Sequence, residues 1–275
     1  MKLALISDIH ANLQALRATL DDIASQSVAR IVCLGDIVGY NANPGECIAL
    51  VRRADCLCVA GNHDRAVSRP IATETLSGTA ARAAAWTRAR LTDDELAFLA
   101  GLPPTAEIEG ELIAVHGALH PQDGRETVRL DNDESRGFSF EALITHPSGA
   151  RICAFGHTHD AAIYEFRHGR IMRRPEEAVR LRNDAHYLIN PGSVGEPRGG
   201  DKRASYMVLD LARRIVTVRR VEYDTVAASV ATRAAGLAPP LSFLPAPVRH
   251  ALKRGLRTLG LEEALRERSA PPPRI

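Results

Sequence analysis

Short motifs rich in aspartate, histidine and asparagine recur along this sequence, each directly after an apolar run. The motifs are Asp8-Ile9-His10, Gly35-Asp36, Gly61-Asn62-His63-Asp64, His116-Gly117 and Gly156-His157-Thr158-His159. Carboxylate, imidazole and amide groups of this kind bind divalent metal ions. Each motif alone also has a structural explanation, because aspartate after glycine is ordinary turn chemistry. Their joint recurrence predicts a metal centre.

The ligand types narrow the metal and the reaction. The side chains that we expect to bind metal are Asp8, His10, Asp36, Asn62, His116, His157 and His159. None is a thiolate, which favours Mn²⁺ foremost, and also Fe, Zn²⁺, Ni²⁺ or Mg²⁺, over a structural cysteine-bound zinc. This set is too large for one ion and sufficient for two if Asp36 is shared. Two ions can clamp a phosphoryl group, and two aspartates leave their pocket positive, so the predicted substrate is a phosphate ester.

Five apolar strands must position these motifs, over residues 3–6, 31–34, 57–60, 112–115 and 152–155. Short continuous apolar runs indicate strands that are covered on both faces. In open α/β sheets, ligands bind outside the carboxyl ends of the strands. We therefore expect all the motifs at one edge of one sheet, with Asp36 in the middle.

The remaining pattern predicts both helices and strands. We expect helices after Asn12, over residues 46–53 and 80–91, from a Thr92 cap to 101, and near residue 140. Residues 120–137 have no periodicity and predict a long loop. A hairpin over 163–166 and 170–173 and strands at 187–189, 205–209 and 215–221 complete the first domain, residues 1–224. Residues 225–275 form a predicted C-terminal helical extension, with a basic helix near 247–259.

Composition sets limits on the protein class. The chain has 275 residues, a net charge of +2 and only 4% aromatic residues. This charge is too near neutral to argue for a nucleic-acid partner on its own. The five cysteines are odd in number and lie mostly in or beside apolar runs, which favours reduced core thiols. With no signal-peptide pattern and no run of about 18 apolar residues, we expect a cytoplasmic protein that does not cross a membrane.

Taken together, and in this order and spacing, the motifs resemble those of the calcineurin-like metallophosphoesterases. The resemblance covers roughly residues 1–220. The stretches from Gly35 to Tyr40 and from Asn190 to Gly195 are similar to the small bacterial, phosphodiesterase-like branch. The resemblance implies an α/β fold, a four-layer α/β/β/α sandwich, to which the C-terminal helices are appended.

The resemblance also implies a role for each motif residue. Asp8, His10, Asp36 and His159 would hold one ion, and Asp36, Asn62, His116 and His157 would hold the other. A bridging hydroxide would attack phosphorus in line. His63 would not bind metal: it would lie over the site, stabilise the transition state and protonate the leaving oxygen, with Asp64 orienting its ring. A histidine with a pKa near neutrality suits that role.

The sequence indicates the residues that contact substrate less clearly than the metal ligands. Asn12, Tyr40, Arg65 and Arg198 lie within a few residues of the motifs and are candidates, although each also has a structural explanation. The leading hypothesis is a phosphodiesterase. The alternatives are a phosphomonoesterase or nucleotide phosphatase, a nuclease that uses the basic helix, and a non-catalytic scaffold. Because His63 and every ligand position are filled, the scaffold is disfavoured. The oligomeric state stays open.

Overall fold

The computed structural model describes residues 1–69, 76, 78–120, 128–175, 177–198 and 200–238. The strands are β1 Lys2–Ile6, β2 Arg30–Cys33, β3 Leu57–Cys58, β4 Thr105–Ile108, β5 Leu112–Val115, β6 Ile152–Ala154, β7 Ala162–Arg167, β8 Arg170–Arg174, β9 Ala178–Arg180, β10 His186–Asn190, β11 Ala204–Asp210 and β12 Ile215–Val221. The helices are α1 Leu13–Ala24, α2 Pro44–Arg53, α3 Asn62–Ser68, α4 Gly78–Arg88, α5 Asp93–Gly101, α6 Asp133–Ile144 and α7 Thr225–Ala234.

The strands form two sheets, and the expectation of a single sheet is wrong. The first sheet has the order β3-β2-β1-β11-β12-β9, and the second has the order β4-β5-β6-β10-β7-β8. Strands β1, β2 and β3 are parallel, as are β5, β6 and β10. The apolar runs could not separate the two sheets, because strands of either sheet are covered on both faces.

Burial alternates along each strand and divides the described core into layers. On β1, Leu3 and Leu5 face the second sheet, where they join a cluster that includes Tyr187. Their neighbours Ala4 and Ile6 face the other way, against helices α1 and α2. A third cluster packs β5, β6 and β10 against helix α6. The result is the expected four-layer α/β/β/α arrangement.

The carboxyl ends of the two sets of parallel strands meet at one edge of the sandwich. Gly156, after β6, approaches β1 so closely that a Cβ there would lie 1.9 Å from Ser7 Oγ. The next residue, His157, donates its backbone N–H to Asp8 Oδ2 at 3.0 Å. The absence of a side chain at Gly156 therefore allows motifs from different sheets to come together.

Several local predictions are confirmed and others are not. Thr92 caps α5 with a reciprocal Glu95 contact, and the β7–β8 hairpin forms. Strands β4 and β9 were not predicted, because each is short and largely exposed. Helix α6 begins at Asp133, inside the predicted 120–137 loop, where Asn132 accepts from the backbone N–H of Ser135.

The C-terminal extension is described only in part. It begins with the predicted helix, α7, and Asp224 accepts from the backbone N–H of Ala227 at its start. The predicted basic helix at 247–259 lies outside the described residues. Within the described ranges, none of the helices combines the length and the apolar character that crossing a membrane requires.

Candidate metal centre

The first group of ligand-type side chains comprises Asp8, His10 and His159. His159 Nε2 lies 3.2 Å from Asp8 Oδ1, and His10 Nε2 lies 3.7 Å from the same oxygen. The two imidazole Nε2 atoms are 3.2 Å apart. All three residues are buried, so their donor atoms face one another in an enclosed space. This group could hold one metal ion.

The second group comprises Asn62, His116 and His157. His116 Nε2 lies 3.0 Å from Asn62 Oδ1 and 3.2 Å from His157 Nδ1. Asn62 is the first residue of α3, whereas the two histidines follow strands of the second sheet. The group therefore depends on the contact between the two sheet edges.

Asp36 lies between the two groups. Its Oδ2 atom is 3.6 Å from His10 Nε2 and 3.3 Å from His116 Nε2. The other oxygen, Oδ1, accepts a 2.9 Å hydrogen bond from the backbone N–H of His63. One carboxylate oxygen is thus fixed by the backbone, and the other faces both groups, as expected for a shared ligand.

Hydrogen bonds orient three of the imidazole rings. His10 Nδ1 contacts the carbonyl of Val38 at 3.3 Å, His116 Nδ1 contacts that of Leu34 at 2.8 Å, and His159 Nδ1 contacts that of Glu196 at 2.6 Å. A carbonyl oxygen can only accept, so Nδ1 carries the proton in each ring. The Nε2 atoms therefore present lone pairs to the site, which is the usual orientation of metal-binding histidines.

The donor set fits metal ions. Imidazole lone pairs that face each other at 3.2 Å repel unless a cation or proton lies between them. Asp8 Oδ1, which faces both His10 and His159, is buried and accepts no hydrogen bond among the described residues. A buried carboxylate oxygen without a partner is costly in free energy. A cation at this position would satisfy the oxygen and both nitrogens.

Backbone strain is concentrated on the residues that we expect to bind metal. Five of the seven expected ligands adopt positive φ: Asp8 (54°), His10 (48°), Asp36 (54°), His157 (64°) and His159 (61°). Each such conformation costs about 1–2 kcal/mol for a residue other than glycine. Strain of this kind clusters at functional sites, where the surrounding structure holds it in place.

The pKa shifts of Asp8 and His116 show that the two buried carboxylates favour positive charge close to them. Burial opposes ionisation of Asp8, but the charge of His159 and the close approach of both histidines keep the pKa of Asp8 well below its ordinary value. Burial likewise opposes protonation of His116, but the Asp36 carboxylate raises the pKa of His116 to about 10. The carboxylates thus attract a cation strongly enough to outweigh burial.

His63 lies beside the first group. Its ring centroid is 4.8 Å from that of His10 and 4.6 Å from that of Tyr40. Burial, with the charges of His10 and His116, lowers the pKa of His63 to about 4 despite the opposing attraction of Asp36. This value lies below the expected near-neutral pKa, and it keeps the ring of His63 neutral at neutral pH in the metal-free chain. A ring nitrogen of His63 also lies close enough to His10 and Asp36 to share a metal ion with them.

Asp64 does not orient the ring of His63 as expected. Its carboxylate accepts from the backbone N–H of Val38 at 3.1 Å and of Gly61 at 3.0 Å. His63 Nδ1 has no hydrogen-bond partner among the described residues. Asp64 instead ties the start of α3 to the loop that follows Asp36, so it fixes the backbone that carries Asn62 and His63.

The four expected substrate contacts differ in position. Asn12 is 3% exposed, and its side chain caps α1 and donates to the carbonyl of Gly195 at 2.9 Å, so it has a structural role, and its contact with substrate stays a prediction. Tyr40 packs against His10 at the site, and the charge of exposed Arg198 acts on its hydroxyl. Arg65 lies on α3, next in sequence to Asp64.

Two residues at the site were not predicted. Arg129 Nη1 donates to the carbonyl of His157 at 3.1 Å, and the side chain is 40% exposed at the edge of the second group. Asn41 contacts the backbone of His10 and the side chain of Glu196, whose carbonyl contacts the ring of His159. Arg129 lies in the predicted loop, and nothing in the sequence marks either residue as part of the site.

The family model of the calcineurin-like phosphoesterase superfamily domain matches residues 1–214. The uncharacterized protein MJ0912 of Methanocaldococcus jannaschii is 38% identical over 226 residues, which cover 81% of this chain and 88% of that protein.

Two solved structures are similar as well. A metallophosphoesterase from Sphaerobacter thermophilus is 35% identical, with a TM-score of 0.71, covering 86% of this chain and 95% of the other. The hypothetical protein PH1004 of Pyrococcus horikoshii shares the fold at 17% identity, with a TM-score of 0.67 and coverage of 86% and 94%. The chain therefore belongs to the calcineurin-like phosphoesterase superfamily.

Proposed function

We propose that this protein hydrolyses phosphate esters, with diesters preferred, at a centre of two divalent ions. The observation that carries the proposal is the position of Asp36 Oδ2, within 3.6 Å of His10 Nε2 and 3.3 Å of His116 Nε2. A carboxylate oxygen between two sets of ligands is what a shared pair of ions requires. Asp8, His10 and His159 complete one set, and Asn62, His116 and His157 complete the other.

The proposed chemistry divides between the ions and the chain. Two bound ions supply positive charge for the phosphoryl oxygens and lower the pKa of a water molecule that becomes the nucleophile. The carboxylates of Asp8 and Asp36 and the imidazole lone pairs fix where that charge lies. With only two carboxylates among the ligands, two divalent ions leave the pocket positive, which favours an anionic phosphate ester. Mn²⁺ suits this mixture of oxygen and nitrogen ligands.

His63 acts on the substrate as a hydrogen-bond donor in this proposal. Because its pKa is lowered to about 4, the neutral ring carries one N–H at neutral pH. That N–H stabilises charge on a phosphoryl or leaving-group oxygen as the bond to phosphorus breaks. A pKa of about 4 leaves little protonated ring at neutral pH for the expected proton transfer to the leaving oxygen, so we assign His63 the role of hydrogen-bond donor. Tyr40 packs against the ring and limits its movement.

Groups at the edge of the site determine which ester binds. Arg129 lies on the side of the second group, and Arg198 lies near Tyr40 on the side of the first. Arginine binds phosphate oxygens in a planar fork, so both are candidates for substrate contacts. A phosphomonoesterase or nucleotide phosphatase is the alternative that these charges also accommodate. A nuclease would need the basic helix at 247–259, which lies outside the described residues.

A substrate panel tests the proposal. The metal-free protein is prepared with a chelator, reloaded with Mn²⁺, and assayed with an aryl phosphodiester and the matching aryl phosphomonoester. We expect hydrolysis only after metal is restored, and faster turnover of the diester. Faster turnover of the monoester would make the protein a phosphomonoesterase, and no hydrolysis of either ester with bound Mn²⁺ would support the non-catalytic scaffold.

We also propose a cytoplasmic location, because all five cysteines are free.

A further inference from the structure

We propose that Asn41 and Thr232 are positioning residues for the first ion, so that the C-terminal helix α7 supports the metal centre. The inference depends on the proposed two-metal centre and extends it to a part of the chain that carries none of the expected ligands. It rests on a set of hydrogen bonds that joins α7 to both histidines of the first group.

Asn41 contacts the loop that carries His10 and the loop whose backbone contacts the ring of His159. Its Nδ2 atom donates to the backbone carbonyl of His10 at 3.0 Å and to Glu196 Oε1 at 3.0 Å. The carbonyl of Glu196 in turn accepts from His159 Nδ1 at 2.6 Å. Because Asn41 is only 8% exposed, solvent cannot easily replace these contacts. One amide group therefore holds the backbone of His10 and the loop that orients His159.

Thr232 of α7 completes the arrangement. Both contacts of Asn41 Nδ2 are made to oxygen acceptors, which identifies this atom as the amide nitrogen. The remaining amide oxygen, Oδ1, then faces the hydroxyl of Thr232 at 2.8 Å and shares its single proton with the carbonyl of Ala228 at 2.9 Å. Without that donor, the partly buried oxygen would lack a partner, and the amide could turn away from His10.

The backbone at His10 needs this support. His10 and Ala11 have φ values of 48° and 55°, in the left-handed region that is unfavourable for residues with a Cβ. The carbonyl of His10 accepts from the backbone N–H of Asn41 at 3.2 Å as well as from its side chain. Loss of the amide weakens the hold on a strained segment whose side chain must point at the ion.

Mn²⁺ titration of the full-length, metal-free protein tests the inference. Calorimetry gives the affinities of two binding steps for wild type and variants. We expect Asn41→Ala to weaken one step by about tenfold or more, as for other residues that orient metal ligands, and to leave the other within about twofold. Thr232→Val, which removes only the hydroxyl, should weaken the same step by about fivefold, and Thr232→Ser should restore it.

Two controls separate positioning from general destabilisation. Thr225→Val makes the same replacement at an exposed position of α7 and should leave both affinities unchanged. In an Asn41→Ala background, Thr232→Val should have no further effect, because it acts through Asn41. Unchanged affinities in Thr232→Val, or equal weakening of both steps, would overturn the inference while leaving the two-metal centre intact. A wild type that binds fewer than two Mn²⁺ ions would overturn both.

Discussion

The backbone N–H of His63 donates a 2.9 Å hydrogen bond to Oδ1 of Asp36. This contact links the residue proposed to act on substrate to the carboxylate proposed to bridge the ions. It also leaves Asp36 Oδ2 as the oxygen that faces both ligand groups. A change that disturbs this contact should therefore affect metal binding and the position of His63 together.

Gly61 tests this relationship, because a Cβ there would lie 2.0 Å from Asp36 Oδ1 and 2.2 Å from the Asp36 backbone nitrogen. We expect Gly61→Ala to lower the free energy of unfolding by about 2 kcal/mol or more and to weaken Mn²⁺ binding. Urea unfolding and calorimetry measure the two effects. Gly137→Ala is the matched control: it lies in α6 with open space around the added atom, and should raise stability by about 0.5–1 kcal/mol.

Variants of Asp64 and His63 should have different effects, because Asp64 has a structural role and His63 a catalytic one. Asp64→Asn places an amide N–H against one of two backbone donors, Val38 or Gly61, so we expect a loss of about 1–3 kcal/mol in the free energy of unfolding. His63→Ala should lower kcat about 100-fold or more with a smaller effect on stability. If Asp64→Asn lowered kcat but left unfolding unchanged, the carboxylate would act on the His63 ring after all.

Arg129 should contribute to substrate binding. Its guanidinium is anchored to the carbonyl of His157 and remains 40% exposed beside the second group. We expect Arg129→Ala to raise KM for a phosphate ester by about tenfold, since a charge-assisted hydrogen bond contributes about 1.5–3 kcal/mol, while kcat changes less. Steady-state kinetics measure both constants. Arg180→Ala, at an exposed position of β9, should change neither, and an equal effect of both variants would argue against a specific contact.

Asp22 should make stability depend on pH at a site remote from the metal centre. It accepts from Arg219 at 2.9 Å and from the Tyr206 hydroxyl at 2.6 Å, and the Arg219 contact lowers its pKa. Because the folded pKa is the lower one, this stabilisation is present above the unfolded value of about 3.9 and is lost as the pH falls below it. Asp22→Asn should cost about 1 kcal/mol at pH 7, given the partial exposure of the pair.

Urea unfolding at pH 7 and at about pH 2, below the unfolded pKa, measures this difference. The cost of Asp22→Asn should shrink at the lower pH, and Asp21→Asn, at the exposed neighbouring position of α1, should have little effect at either. A cost that stayed constant between the two pH values would show that the charge of Asp22 does not carry the stabilisation.

The sequence was sufficient to predict which ligand-type side chains come together, because each follows a short apolar strand. The apolar runs alone predicted neither the division into two sheets, which the family resemblance implied, nor strand β4, because strands of either sheet have the same apolar pattern and β4 is mostly exposed. The structural contacts of Asn12 and Asp64 were not predicted, for a common reason. Both side chains satisfy backbone N–H groups, and such partners depend on loop geometry that the residue types do not encode.

The residues that support the site could not be predicted from the sequence, for a related reason. Asn41 and Thr232 are 191 positions apart, and their contact exists only because α7 packs beside the loop that follows Asp36. Arg129 lies in a segment without periodicity, so its proximity to His157 had no local signal. The strained φ values of the ligands likewise emerge only when both sheet edges are in place.

The number of Mn²⁺ ions bound by the metal-free protein tests the central claim most directly. Calorimetric titration of the wild type should give two ions per chain, and Asp36→Asn should bind no more than one because it removes the shared carboxylate. Asp160→Asn, at an exposed aspartate paired with Arg173, should still bind two. A wild type that binds one ion, or an Asp36→Asn variant that binds two with unchanged affinity, would contradict a centre bridged by Asp36.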